Sequence, residues 1–544
     1  MRSDLQRLLD LEAMETSPID ILVVGGGITG AGIARDAALR GLRVALVEKT
    51  DFAAGTSGRS SKIVHGGVRY LEYGHFLLVR ESARERIAVQ AIAPHLVHRL
   101  DFLYPVFAPD SLLKIRAGLS VFDWLASTED ADRHQMLEPA EVRERLPGLR
   151  DPLKGAVQYV EYITDDARLT LENVLSAQEH GALVANHARL ERLFVDDDGR
   201  VRGGRVRDEL DGRSYEVQAR IVVNAGGPWA QDVLEDSELP VEKPLRPSKG
   251  IHLLLAADRL PIQGATFLKS STGRRGLAMR RGPWVYVGTS DDEYSGPLET
   301  PTATRADVLD LLGMVQDCFP DADLTVDDVL ATWAGVRPLI AEEGKSTRDT
   351  SREDEVWHRP DGLVTIAGGK LTTYRRMAGR VMEVVLDALE THDTEDRTKT
   401  VPLPGAPPRP DYVDQRLGEL AERGVDEETR GRLAFLYGTQ LDALLAYGDE
   451  DASWLERLHP DVPALRGEVR HAVEREMALD LIDVMDRRTA LLLFSTDSGR
   501  PATDAAAAIM ADILDWDDGR TEREIESYLG WIENHRVPAV APTP

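Results

Sequence analysis

The chain has 544 residues, a hydrophobic share of 42% and a formal net charge of -28. A chain of this length outgrows a single hydrophobic core, so two or three domains are expected. The acidic balance leaves no surplus of Lys and Arg to displace a polyanion's counterions, which argues against a nucleic-acid partner, and the lone Cys318 excludes an intrachain disulfide, a Cys-held iron–sulfur cluster and a multi-Cys zinc site.

Residues 1–17 carry Asp4, Asp10, Glu12 and Glu15 and no apolar run of signal-peptide length, so they read as an N-terminal extension and export is not expected. No stretch reaches the ~18 uncharged apolar residues of a membrane span. A cytoplasmic protein is expected, with peripheral attachment to the inner face of the cell membrane as the alternative.

From Ile19 to about residue 390 strand-like and helix-like segments alternate, the pattern of a parallel sheet covered by helices. The first unit runs from the apolar strand 19–24 through Gly25-Gly26-Gly27-Ile28-Thr29-Gly30 into an Ala-rich helix, then a second strand ending at Glu48. In G-x-G-x-x-G spacing the first glycine allows a tight turn and the second lets backbone approach a pyrophosphate. The third lets helix and strand pack closely. The helix start offers N–H groups and a positive dipole end to phosphates, and Glu48 suits ribose hydroxyls. A dinucleotide site is predicted.

Residues 111–125 (SLLKIRAGLSVFDWL) join large apolar side chains to Lys114 and Arg116 and fit an interfacial helix, although a buried core helix is the simpler reading. Lys249 and His252 precede a stretch assigned to a substrate domain, with no direct role expected for either.

Two later glycine turns separate FAD from NAD. Ile221 to Trp229 is an apolar strand entering the small-residue turn Ala225-Gly226-Gly227, where backbone can lie against a dinucleotide. Gly362 to Tyr374 again gives strand, Gly368-Gly369 and a helix start. A helix N-terminus aimed at the flavin pyrimidine ring stabilises the negative charge that develops there on reduction, which an NAD enzyme has no need of.

Residues 396–410, with five prolines, read as a linker. The tail from 401 to 544 has 15 Arg against 29 Asp plus Glu, a net of -14, and apolar residues at helical spacing (Val484, Leu491 and Leu492; Ile509, Ile513 and Trp516). A helical bundle with solvated acidic outer faces is predicted.

Over nearly its whole length from Ile19 the chain resembles the FAD-dependent glycerol-3-phosphate dehydrogenases, a branch of the D-amino-acid-oxidase-like flavoproteins. The match is carried by Gly25 to Gly30, Thr56 to Leu71, Asn224 to Trp229, Gly335 to Leu339, Thr347-Arg348-Asp349, Gly368 to Tyr374 and Arg487-Arg488-Thr489. The resemblance implies an α/β (α+β overall) fold: a Rossmann-type FAD-binding domain with an inserted mixed-sheet substrate domain, plus a C-terminal all-α domain. The corresponding boundaries are an oxidoreductase region at 18–395, with the discontinuous FAD-binding domain at about 18–110, 165–247 and 335–395 and the substrate domain mainly at about 111–164 and 248–334, the linker at 396–410 and the helical domain at 411–544. It further implies FAD as cofactor, glycerol 3-phosphate as donor, a quinone pool as acceptor and contact with a membrane surface. A homodimer is compatible with the sequence and not encoded in it.

The expected cofactor-binding residues are Gly25, Gly27, Ile28, Thr29, Gly30, Glu48, Lys49, Ser60, Ser61, Ala225, Gly226, Gly368, Gly369, Leu371 and Thr372, with Ser60 and Ser61 donating to the pyrophosphate or the ring. No metal site is expected. A phosphorylated polyol needs converging cationic and neutral donors, because an unpaired buried dianion is prohibitively costly. By resemblance His65, Arg69, Tyr70, Arg337, Arg348 and Lys370 bind substrate, Arg69 and Arg348 as bidentate forks on the phosphate. The group at the C2 hydroxyl is left open among His65, Arg337 and Lys370: a lysine with a depressed pKa acts as base, whereas an arginine serves as electrostatic stabiliser. Three rival readings remain: a glycerol-3-phosphate oxidase returning electrons to oxygen, an amine or amino-acid oxidase on the same fold, and a non-catalytic FAD-binding scaffold.

Overall fold

The computed structural model describes residues 2–538 apart from 68–75, 109, 127–131, 342–352 and 392–394. Strand Ile19–Val24 is buried at every position, as its uninterrupted apolar run demands, and lies at the centre of a parallel sheet. Val44–Val47 pairs on one side of it and Ser214–Asn224 on the other. Leu183–Ala185 and Val364–Gly368 extend the parallel order outward, and Asp354–His358 adds an antiparallel edge. Helices Ile28–Leu39, Asp166–Glu179 and Tyr374–Ala388 cover one face through a core that includes Ile21, Val23, Ala34, Val174 and Val381.

The other face is covered by the antiparallel strands Ala188–Val195 and Val201–Asp208 and by the N-terminal helix Ser3–Thr16, whose Leu11 and Met14 are fully buried. The N-terminal extension is thus part of the fold. Its Arg7 makes a two-pronged ion pair with Asp208 at 2.8 and 2.9 Å, both side chains buried.

A second, ten-stranded mixed sheet holds the long antiparallel pairs Leu245–Ala256 with Val329–Ile340 and His98–Phe107 with Leu153–Ile163. Ile63–Val64, His98–Phe107 and the whole of Val329–Ile340 lie in this sheet. Sheet membership therefore departs from the division expected near residues 110 and 335. Strand alternation fixes which face a residue occupies and leaves the partner strand open.

The tail is helical, as expected, with one small antiparallel hairpin, Arg457–His459 with Val462–Leu465. It is no separate body. Val469, Leu492 and Tyr528 share one continuous core with Phe102, Tyr286 and Trp333 of the second sheet. The proline-rich segment before it is irregular but docked: Leu403 is buried, its N–H bonds Ile92 O at 2.9 Å, and Arg35 donates to Thr398 O at 3.2 Å.

Helix Leu112–Ala126 is not the buried core helix that was the simpler reading. Leu119 and Phe122 point inward, while Leu113 (74% exposed), Val121 and Trp124 (78%) face outward beside exposed Lys114 and Arg116. Among the described residues no helix is long and apolar enough to cross a membrane.

The crossing of helix Ile28–Leu39 over the first strand is among the tightest points of this architecture. A Cβ on Gly30 would lie 1.9 Å from the Gly25 carbonyl oxygen, whereas one on Gly313, on the exposed side of helix Arg305–Cys318, would meet nothing within 4 Å. Gly30→Ala should therefore cost about 3 kcal/mol or more in denaturant unfolding and reduce FAD content, because backbone must move. Gly313→Ala should stabilise by roughly 0.5–1 kcal/mol through helix propensity and unfolded-state entropy. Equal effects would show that the close approach carries no energetic weight.

Candidate functional site

A cavity of about 440 Å³ opens where the parallel strands end. Its wall is made by Gly25, Gly27, Ile28 and Thr29 after the first strand, Glu48 and Lys49 after the second, Ala225 and Gly226 after Ser214–Asn224, and Gly368 to Leu371 after Val364–Gly368. The three glycine turns, hundreds of residues apart, thus meet at one place. Backbone bonds tie the first turn to its neighbours on either side: Gly25 N–H to Val47 O at the end of the second strand, and Ala225 N–H of the second turn to Val24 O, both 2.9 Å. The carboxyl edge of a parallel sheet is where a dinucleotide finds helix N-termini and open backbone.

At the first turn Glu48 accepts from Gly26 N–H at 2.7 Å and from Thr50 N–H at 3.0 Å, which holds its carboxylate at the cavity rim. Ile28 N–H, one of the donors left over at a helix start, bonds the Ser57 hydroxyl at 2.9 Å. Gly30 lies at the helix–strand crossing, outside the cavity lining.

At the third turn Gly368 and Gly369 both take left-handed backbone, φ +80° and +83°, where a side chain is strained. That double reversal turns Lys370 and Leu371 onto the cavity ahead of helix Tyr374–Ala388. Arg337 reaches the same cavity from strand Val329–Ile340 of the second sheet, its guanidinium donating to Thr289 Oγ1 at 3.0 Å and Ser290 O at 3.2 Å. His65 adjoins the third turn, since its N–H bonds Thr372 Oγ1 at 3.0 Å. Arg69, Tyr70 and Arg348 lie outside the described residues.

Ser60 lines the cavity but its hydroxyl donates to Asp166 at 2.7 Å, and the Ser61 hydroxyl meets His252 Nε2 at 2.8 Å. Both hydroxyls have protein partners. His252 is closer to the site than the sequence indicated. It stacks on Trp333 at 4.8 Å, and burial, helped by Arg337 and Lys62, pushes its pKa down to about 3, so the ring is neutral. Lys249 is a structural group, paired with Asp307 at 2.7 Å.

Sequence reasoning missed part of the wall. Glu299, which lines the cavity and accepts from Trp229 at 2.8 Å and from the expected Lys49 at 3.1 Å, had no place in the sequence reading. His187, Asp480, Ile482, Arg487 and Trp531 also line the cavity, four of them from the helical tail. Only the run Arg487-Arg488-Thr489 gave any sign of this in the sequence.

The donor set fits FAD: a helix N-terminus at the first turn for phosphates, a rim carboxylate for ribose, and a second helix start behind a left-handed glycine pair for an electron-rich ring. The comparisons agree. Residues 20–375 match the family model of the FAD dependent oxidoreductases and residues 396–521 that of the C-terminal domain of alpha-glycerophosphate oxidase. The aerobic glycerol-3-phosphate dehydrogenase of Bacillus subtilis is 35% identical over 98% of each chain, and that of Staphylococcus aureus 36% identical over 94% of this chain and 93% of its own. The glycerol-3-phosphate dehydrogenase of Bacillus halodurans, solved with FAD, superposes with a TM-score of 0.82 at 34% identity over 99% of each chain. The L-alpha-glycerophosphate oxidase of Mycoplasma pneumoniae, at 16% identity, covering 70% of this chain and 98% of its own, and with a TM-score of 0.51, shares the fold.

Two groups at the wall make stability depend on pH. Burial alone would lower the His187 pKa, but Asp483, 3.0 Å from its Nε2, and the nearby Asp480 and Asp51 raise it from 6.5 to about 9. Burial and the Asp483 charge raise the Asp480 carboxyl as well. Both groups hold more protons folded than unfolded, so the His187 contribution is complete below pH 6.5 and is lost as pH rises through about 9. Denaturant midpoints should fall across that interval, and His187→Gln should flatten the fall. A midpoint that rises from pH 7 to 9 would refute the assignment.

Proposed function

The chain belongs to the aerobic glycerol-3-phosphate dehydrogenases within the FAD dependent oxidoreductase family, and from that premise we propose that it oxidises sn-glycerol 3-phosphate to dihydroxyacetone phosphate and passes the electrons to a quinone. FAD, when bound, supplies the hydride acceptor, flavin N5, for the hydrogen on C2. One observation carries the reading: Arg337 and Lys370 line the same cavity as the dinucleotide turns, and His65 is bonded to the third of them.

The chain's own residues then divide the work. By the family resemblance Arg69 and Arg348 hold the phosphate by bidentate hydrogen bonds, and Tyr70 is a further substrate-binding residue. Lys370 or His65 takes the proton of the C2 hydroxyl, and Arg337 stabilises the negative charge that grows on that oxygen. Pairing Arg337 with the Thr289 hydroxyl and the Ser290 carbonyl fixes its direction. Trp229, Glu299 and Lys49 form one hydrogen-bonded stretch of the cavity wall.

A quinone is a lipid-borne acceptor, which favours peripheral attachment at the inner face of the cell membrane. Helix Leu112–Ala126, with Leu113 and Trp124 outward beside Lys114 and Arg116, has the side chains for it, as does the start of helix Phe76–Ile92, where Phe76 and Leu77 are exposed. Replacing Leu113 and Trp124 together by Ser should reduce co-sedimentation with anionic vesicles by roughly tenfold while leaving flavin reduction unchanged. Undiminished co-sedimentation would remove this helix from the membrane contact.

Anaerobic glycerol 3-phosphate should bleach the flavin, and in Arg348→Ala the concentration for half-bleaching should rise roughly a hundredfold at unchanged FAD content. Stopped-flow reoxidation should be fast with a quinone analogue and slow with oxygen. Rapid peroxide formation would make the chain an oxidase, and failure to bleach would favour another donor.

A further inference from the structure

The run Arg487-Arg488-Thr489 lies far from the glycine turns in sequence and has no part in the chemistry proposed above. In the fold it reaches the cofactor wall. Asp51, fully buried, follows the Glu48–Thr50 rim and accepts from Arg487 Nε at 2.6 Å and from both terminal nitrogens of Arg488 at 2.7 and 2.8 Å. Asn186 Nδ2 adds a further donor at 2.9 Å. Eight residues on, buried Arg59 makes a two-pronged pair with Asp486 at 3.0 and 2.5 Å. Between these two anchors lie Ala54, Gly55, Thr56 and Ser57, which line the cavity, and Ser57 holds the helix start at Ile28.

We propose that Arg487 and Arg488, with Asp486, are positioning residues of the FAD site. They pin segment 51–59 at both ends, with Arg487 itself part of the cavity wall, so the helical tail is a working part of cofactor binding. The three residues belong to one short π-helical turn, Asp483–Arg488, whose wider winding brings consecutive side chains onto the same neighbour. Arg487 also closes on Asp483 at 2.5 Å, and Arg488 on the Glu476 carbonyl at 2.8 Å, so each guanidinium is held from both domains. His187, Asp480 and Asp483 lie close enough together to hold a cation, but Arg487 already supplies their positive charge.

A carboxylate carrying two arginines is costly to leave half-paired. The loop it anchors is therefore fixed when the tail is docked and released when it is not. By linkage, whatever orders segment 51–59 must also order the π-helical turn, so FAD and the tail should stabilise each other. The proposal rests on FAD filling the cavity and not on the identity of the oxidised substrate, so flavin titration without any donor tests it separately.

The test uses the full-length holoprotein, stripped of FAD and retitrated by flavin fluorescence. Arg487→Lys and Arg488→Lys keep the charge and lose the fork. Each should weaken FAD binding roughly tenfold, the usual cost of disturbing a group that orients a ligand's own contacts, and should change the visible circular dichroism of the bound flavin. Arg470→Lys is the control: Arg470 stacks on Tyr447 at 4.1 Å and pairs with Glu474 at 3.0 Å in the same domain, outside the cavity lining, and should leave FAD affinity unchanged. In the wild-type protein, adding FAD to the stripped form should slow amide hydrogen exchange across 480–489 as well as 51–59. Unchanged affinity and dichroism in the folded variants, an equal loss in Arg470→Lys, or no FAD-dependent protection across 480–489 would each overturn the proposal. Should the arginine variants not fold, the wild-type exchange decides it.

Discussion

Everything at the cavity depends on how closely one helix can approach one strand. Gly30 has no room for a Cβ against the Gly25 carbonyl, and that contact sets the height of helix Ile28–Leu39 above the sheet. From that height follow the direction of the helix start, the hydrogen bond from Ile28 to Ser57, and hence the path of the loop between Asp51 and Arg59. The carbonyl of Val24 accepts from Ala225 and so aligns the second glycine turn with the first. Parallel pairing of Val223 with Val364 then brings up the third. An elongated dinucleotide needs backbone along its length, and three strand ends at neighbouring positions supply it.

The interior carries many charges for a protein of such acidic balance, and several of them form ion pairs. Arg168 with Glu476, Arg59 with Asp486, Arg488 with Asp51 and Arg7 with Asp208 all join segments that are distant in sequence. Buried pairs add little net stability, because desolvation offsets most of the attraction, yet breaking one is costly. Their consequence is definition of relative position. A tail that met the sheets through aliphatic contact alone could slide; forks fixed on carboxylates cannot.

This also decides what could be read beforehand. The glycine turns, Glu48 and the helical character of the tail were legible because each is a local pattern with one physical cause. The second sheet's claim on Val329–Ile340 and His98–Phe107 was not, since a strand's alternation names no partner. Nor was the outward face of helix Leu112–Ala126, whose apolar residues look the same whether they cover a core or face away from it. The contact of Arg487 with Asp51 spans 436 residues and leaves no trace in either neighbourhood. The double arginine was visible; what it held was not. Trp229 and Lys49 in the cavity wall were similarly visible, while Glu299, the acceptor that joins them, had no pattern to mark it.

The cations Lys370 and Arg337 on the cavity wall come from different sheets, and that explains how this part of the wall is built. Lys370 comes from the end of the first sheet and Arg337 from a long strand of the second, so their separation is a relation between sheets. Three hydrogen bonds hold that relation: Trp333 Nε1 to Ser60 O at 3.2 Å, Tyr286 Oη to Ser61 O at 3.1 Å and Thr56 Oγ1 to Val336 O at 2.5 Å. Each runs between loop 56–61 and a strand of the second sheet. The chain is anchored to the tail by Asp51 ahead of this loop and by Arg59 within it, so one segment of about ten residues receives the tail, the second sheet and the cavity wall together. A site that must orient cations to within a fraction of an ångström cannot be left to two sheets joined by flexible chain. Gathering the restraints on one short loop fixes the cofactor wall and the position of Arg337 by the same contacts.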